Sequence, residues 1–194
     1  MRKKAHLIAI LSLACLLSPV FANAGTWSLD PKASAISFVS VKKSDIAEAH
    51  SFDSFSGVIA ESGTATVTID TNSVKTGVEI RDERMIEFLF ESVKFPNITI
   101  TSDTFPLEKL EIGSTQIERI AATLSLHGIE QEIMMDVILH SVSDSKIAVS
   151  TIRPIIVKAK DFGLAEGISK LSSLVGDISI GKSVPVSFSL TFVR

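Results

Sequence analysis

The chain has 194 residues, with 19 Lys and Arg against 22 Asp and Glu, a formal net charge of −3 and one cysteine. An acidic balance with no basic run outside the first residues argues against nucleic acid or an anionic membrane surface as a partner. Tyr is absent and a single Trp stands beside 11 Phe, so the aromatic area is apolar, as in a core or a lipid pocket, rather than suited to mixed surfaces.

In chain order, Arg2, Lys3 and Lys4 form a positive start, an apolar stretch runs from Leu7 to Phe21, and Ala22-Asn23-Ala24 supplies a small-x-small end. That layout predicts a cleavable signal peptide over 1–24, with Gly25 as the first mature residue and one domain over 25–194. The alternative is a membrane anchor. Ser12, Ser18 and Pro19 interrupt the stretch, which is shorter than the ~20 apolar residues of a spanning helix. No stable membrane insertion is therefore expected after cleavage. Lipidation at Cys15 is the second alternative, and it is disfavoured by Ser12 standing where a large aliphatic is expected. Cleavage after Ala24 removes Cys15 and all three leading cations. It leaves a more acidic domain that must be held by its core without disulfides.

Beyond the leader the dominant period is two. Strand candidates are Ile36-Phe38, Phe52–Phe55, Ala65-Val67-Ile69 and Ile98-Ile100. Ala122-Leu124-Leu126 and Ile133-Met135-Val137-Leu139 flank His127-Gly128 and predict a hairpin. Lys146 to Lys160 and the run Val184, Val186, Phe188, Leu190, Phe192 complete the set. Two segments break the alternation. Arg81 to Val93 places Met85, Phe88 and Leu89 at helical spacing before Pro96, and Leu164 to Val175 carries an amphipathic stripe through Ile168 and Leu171. About eight strands and two short helices predict a mainly β antiparallel barrel, because closure removes the edges. A sandwich is the alternative.

Catalytic signatures are absent: no G-x-S-x-G, no H-E-x-x-H and no phosphate loop. Asp70-Thr71-Asn72 begins like a calcium loop, but Lys75 stands where Gly is needed, so a turn cap is the reading. His50, His127 and His140 are unpaired at metal-ligand spacings, and neither a metal nor a cofactor is expected. The cluster Arg81-Asp82-Glu83-Arg84 reads either as charge at a helix start or as a polar patch at a pocket mouth with Arg81 facing a head group. The many Phe fit a solid core as well as a cavity wall.

Taken together, several motifs resemble one family. These are Trp27-x-Leu29-Asp30-Pro31-x-x-Ser34-x-Ile36-x-Phe38, Phe52-x-x-Phe55-x-Gly57, Asp70-x-x-Ser73-Val74-x-Thr76-Gly77, Arg81-Asp82-x-x-Met85, Phe90 with Phe95-Pro96-x-Ile98, Thr123-Leu124-x-Leu126-x-Gly128 and Asp161-Phe162-Gly163-Leu164. In this order and spacing the chain resembles the YceI-like, or polyisoprenoid-binding, family of bacterial periplasmic proteins across nearly all of its mature length. The resemblance implies a lipocalin-like barrel in the periplasm that binds a long isoprenoid or fatty-acyl molecule in its interior, with no catalytic residue and no metal. Three departures stand out. Ala33 occupies a place where the family often has His, His50 one where it often has Gly, and Lys158-Ala159-Lys160 a region where it often has Arg.

With that expectation, alternation assigns Phe38, Phe55, Val67, Leu124, Leu126, Met135, Val137, Phe188 and Phe192 to the interior. Met85, Leu89 and Phe162 are placed on or beside the helices, with Arg81 as the head-group candidate. A one-residue slip would reverse any of these faces. Two rival functions remain at this level. One is an enzyme acting on a lipid through His140 with Asp136, and the other is a solid barrel used for protein interaction. A homodimer stays open.

Overall fold

The computed structural model describes residues 25–194; Arg2, Lys3, Lys4, Cys15 and the Ala22-Asn23-Ala24 motif lie outside the described residues. No helix among the described residues is long and apolar enough to cross a membrane. Twelve strands form one sheet: β1 (Trp27–Leu29), β2 (Ala35–Lys42), β3 (Ile46–Phe52), β4 (Phe55–Ile59), β5 (Ala65–Asp70), β6 (Val74–Lys75), β7 (Asn97–Ser102), β8 (Thr115–Leu126), β9 (Ile129–Ser143), β10 (Lys146–Thr151), β11 (Ile155–Lys158) and β12 (Ser183–Val193). Two helices accompany them, α1 (Glu79–Arg84) and α2 (Ala165–Ser173).

Following the pairings gives β1–β4–β5–β7–β8–β9–β10–β12 and then β12 back to β1. This is a closed antiparallel barrel of eight strands. The other four strands prolong the ring at one end. β2 runs on from β1 along β12, β3 pairs with β2, β6 pairs with β3, and β11 runs on from β10 along β12. Eight staves therefore account for all twelve strands, several of them broken by a local irregularity.

The breaks have local causes. The stretch from Phe52 to Phe55 is a bend rather than one strand: Phe52 ends β3, Asp53 and Ser54 turn, and Phe55 opens β4. The predicted stretch from Lys146 to Lys160 is likewise divided. The amide of Ile152 still donates to the Asp136 carbonyl at 2.9 Å, but Pro154 has no N–H to continue the ladder. From there β11 pairs with β12 and leaves the start of β9 without a neighbour on that side. The barrel is thus laced along one half and splayed at the other.

The predicted hairpin forms, with Leu126 opposite Ile129. His127 and Gly128 both have positive φ, 54° and 76°, as a two-residue type I′ turn requires. Any side chain at Gly128 would also strike the Phe95 ring, 2.7 Å from where a Cβ would stand.

Both helices appear, with altered limits. α1 starts at Glu79 and gives way at Met85 to a π-helical turn ending at Leu89, closed by the Phe90 amide donating to the Met85 carbonyl at 2.9 Å. The wider turn swings Met85 and Phe90 into the buried interior together. α2 lies inside its predicted span and buries Ile168. It crosses the π turn at close range, because Gly167 has no side chain: a Cβ there would lie 2.6 Å from the Phe88 carbonyl oxygen. The two helical segments form a lid over the splayed end.

Candidate functional site

Along the barrel axis, the inward faces of β2, β3 and the helical segment change character in step. β2 presents Ile36, Phe38, Ser40 and Lys42 on one face, and β3 presents Phe52, His50 and Glu48. Register sets Phe38 opposite His50 and Ser40 opposite Glu48. On the helical wall, Leu89, Met85 and Arg81 follow at four-residue steps, so they share a face. Each wall passes from apolar depth to charged rim over the same distance.

Three connected spaces follow these walls. A mouth of about 340 Å³ lies between β2, β3, α1 and α2, with Ser40, Lys42, Glu48, His50, Arg81 and Arg84 on its polar side. Below it an inner cavity of about 120 Å³ is lined by apolar side chains alone and shares Phe38, Met85, Leu89, Ile168 and Val184 with the mouth. A deep cavity of about 80 Å³ follows, sharing Ile36, Ile69, Ile100, Ile155 and Val186 with the inner one. A dry cavity of about 150 Å³ holds a benzene ring. Neither interior space alone takes a long chain, so an elongated ligand must thread all three or displace the lid.

The predicted residues distribute along this path. Phe38, Met85, Leu89, Leu124 and Leu126 line the inner cavity. Val67, Met135, Val137, Phe188 and Phe192 line the deep one. Phe55 packs half-buried against the core and Phe162 is buried, but neither borders the cavities. Residues not singled out from sequence complete the inner wall, among them Ile36, Phe52, Ile69, Phe90, Ile98, Ile100, Ile133, Ile155, Val157, Ile168, Val184 and Val186. Alternation could have supplied Ile36 beside Phe38, Ile69 beside Val67, and Val184 and Val186 beside Phe188. Phe90 depends on the π turn, which has no sequence period. Tilted ring pairs join Phe38 to Phe52 at 5.5 Å and Phe52 to Phe90 at 5.8 Å.

The rim is a bonded charge cluster. Glu48 Oε2 receives Lys42 Nζ at 2.7 Å and Arg81 Nη1 at 2.9 Å. The hydrogen bond from Lys42, aided by Arg81, holds the Glu48 carboxyl below its ordinary range. Arg81 Nη2 also donates to the Thr76 carbonyl at 2.7 Å. Arg81 therefore sits at the mouth with both terminal nitrogens engaged. Its neighbour Asp82 accepts from the Thr76 amide at 2.8 Å and from the Thr76 hydroxyl, which ties α1 to the loop that follows β6. His50 is 4% exposed. Its Nε2 meets the Ser40 hydroxyl at 2.8 Å and its ring tilts against Phe38 at 5.1 Å. Burial, and then the nearby Arg81 charge, push its pKa below the ordinary value.

The other polar candidates lie elsewhere. Met135, Val137 and Leu139 are buried, so Asp136 and His140 project from the opposite, outer face. There Asp136 takes Arg119 at 2.8 Å and Arg153 at 2.9 Å, and His140 bonds the Thr115 hydroxyl. Those two side chains cannot act inside the barrel. His127 at the hairpin tip meets Glu91 at 2.9 Å and stacks near Phe95. Asp70 accepts from the Asn72 amide at 2.9 Å and caps the short helical turn Thr71–Ser73. No group of three or more metal-ligating side chains occurs among the described residues.

Comparison with known proteins places this geometry. The profile of the YceI-like domain matches residues 27–192. A polyisoprenoid binding domain from Saccharophagus degradans, implicated in plant cell wall breakdown, is 36% identical, covers 87% of this chain and 98% of its own, and superposes with a TM-score of 0.83. BcnA from Burkholderia cenocepacia is 19% identical, covers 84% of this chain and 98% of its own, with a TM-score of 0.66, a likeness of fold. A comparison with curated proteins gives no match.

Proposed function

The chain belongs to the YceI-like domain family, and from that premise we propose that it is a periplasmic binding or carrier protein for a long apolar lipid of polyisoprenoid or fatty-acyl type, held in the barrel interior. The observation that carries this reading is the succession of spaces with shared walls from the mouth through a wholly apolar inner cavity to a deep one whose only polar lining residue is Ser102, with the charged groups confined to the rim. The similar domain from Saccharophagus degradans is a polyisoprenoid binding domain, and the sequence pattern of residues 1–24, read as a signal peptide, supports export.

Apolar walls suffice for useful affinity. Each buried methylene contributes roughly 0.8 kcal/mol. About ten of them give on the order of 8 kcal/mol gross, before the cost of immobilising a flexible chain. Entry takes one of two routes: the chain threads the mouth between β2, β3 and the helices, or α2 and the π turn part to admit it.

The test is mass spectrometry of an organic extract of natively purified protein, together with uptake of isoprenoid and fatty-acyl probes. A recovered long-chain lipid, with uptake reduced about tenfold or more by L124W, which places an indole in the inner cavity, is the expected result. No lipid in the extract and no probe uptake would overturn the carrier reading. Undiminished uptake by a folded L124W protein would move the ligand out of the interior.

A further inference from the structure

At the neck between mouth and inner cavity, two buried polar atoms have no hydrogen-bond partner: His50 Nδ1 and Arg81 Nε. Both residues line the mouth. Buried polar groups are normally satisfied, and an exception calls for a cause. His50 has used its other nitrogen on Ser40, and Arg81 has committed its two terminal nitrogens to Glu48 and Thr76. What remains is one ring nitrogen and one N–H donor. They sit where the walls turn from Phe38 and Met85 to Glu48 and Lys42.

We propose that Ser40, His50 and Arg81 form a head-group subsite for a single uncharged oxygen function, a hydroxyl or carbonyl, at the end of an apolar chain. This rests on the reading of the barrel as a lipid site. It adds that the chain enters with a fixed direction, tail toward the deep cavity and oxygen at the neck.

Three observations select a neutral oxygen over an anion. The cations Lys42 and Arg81 already converge on one oxygen of Glu48, so an anionic head would have to break that cluster. A buried imidazole beside Arg81 stays neutral and offers one donor and one acceptor. The Arg81 Nε–H can only donate, which calls for an oxygen able to accept. Arg84, on the outer rim of the mouth, is the competing attraction for an anion, and the experiment includes one for that reason. The groups facing the neck from each wall are Ser40 and Lys42 on β2, Glu48 and His50 on β3, and Arg81 and Arg84 on α1; α2 contributes Ile168 and Leu171.

Affinities of the whole mature protein are measured for geranylgeraniol, the hydrocarbon of the same skeleton, and geranylgeranyl diphosphate. The alcohol is expected to bind about 3- to 10-fold tighter than the hydrocarbon, the worth of one or two net hydrogen bonds. In H50F, which keeps an aromatic ring against Phe38, the ratio of alcohol to hydrocarbon affinity should fall to about one. Equal binding of alcohol and hydrocarbon by the native protein overturns the subsite but leaves the lipid site standing. A preference that persists in H50F, or tighter binding of the diphosphate than of the alcohol, overturns it too. Binding of none of the three overturns the lipid site itself. Should H50F not fold, the imidazole 15N shifts of the native protein decide: the His50 Nδ1 signal must move on adding alcohol and stay on adding hydrocarbon.

Discussion

At its closed end the barrel is laced by long ladders, and side chains such as Ile59, Val137 and Leu139 are 0% exposed. At its mouth the ladders part after Pro154, two short helical segments bridge the gap, and half-buried Leu89 and Leu171 face open space. The same alternation of apolar residues serves both ends. What differs is how many neighbours each inward residue meets, and hence what a truncation costs. Leu139→Ala should lower stability by about 2–5 kcal/mol, because its surroundings cannot collapse into the hole. Leu89→Ala enlarges a space that already exists, and should cost about 1 kcal/mol. Urea unfolding with unchanged slope checks the pair. Equal losses would mean that the lid is as tightly packed as the closed end.

That contrast also separates what was legible from what was not. The closed end could be read directly: strict alternation through Met135, Val137 and Leu139 and through Leu190 and Phe192 predicts its inward faces, and His127-Gly128, at the opposite end, predicts the hairpin whose strands run into it. The mouth is legible only in outline. The engagement of Arg81 with Glu48 links residues 33 positions apart, and no local pattern reports that. His50 departs from the family pattern, yet its burial needs the register that sets it opposite Phe38. Phe55 illustrates a further limit. Alternation assigns its face to the interior, and it packs on the core, but a bend two residues earlier sets it away from the cavities. Ends of barrels are made by breaks in period, and a period-based reading is weakest at its breaks.

The lid's own hold on the barrel is the next point at which the contrast can be sharpened. Gly167→Ala puts a methyl carbon 2.6 Å from the Phe88 carbonyl oxygen and 2.9 Å from Leu89 Cα. Backbone cannot yield as a flexible side chain can, so α2 must lift. The expected cost is about 1–3 kcal/mol. Hydrogen exchange should speed up in α2 and the π turn, with β9 and β10 unchanged, and lipid uptake should become faster. Uniformly faster exchange over the whole barrel would show that lid and closed end are one cooperative unit rather than two.

The smallest expected effect concerns the contact that pins the far end of the lid to the hairpin tip. Glu91 follows the π turn in a left-handed conformation, φ 45°. It holds Lys94 at 3.0 Å through one oxygen and His127 at 2.9 Å through the other. The bond from Lys94, and then that from His127, keep its carboxyl below the ordinary value of 4.5. A carboxyl depressed in the folded state adds stability that is present above its unfolded pKa and is lost as pH falls through its folded one. Glu91→Gln should therefore lower the Tm slightly at neutral pH, and the gap to the native protein should narrow below about 4.5 and close under stronger acid. The Glu91 side chain is 40% exposed, so solvent screening keeps the effect small. Its location is the stronger readout: faster exchange confined to the π turn and the hairpin tip, with the closed end untouched. No Tm gap at any pH would assign the hold to the packing of Phe95 on His127, which the substitution leaves in place, instead of to the carboxylate.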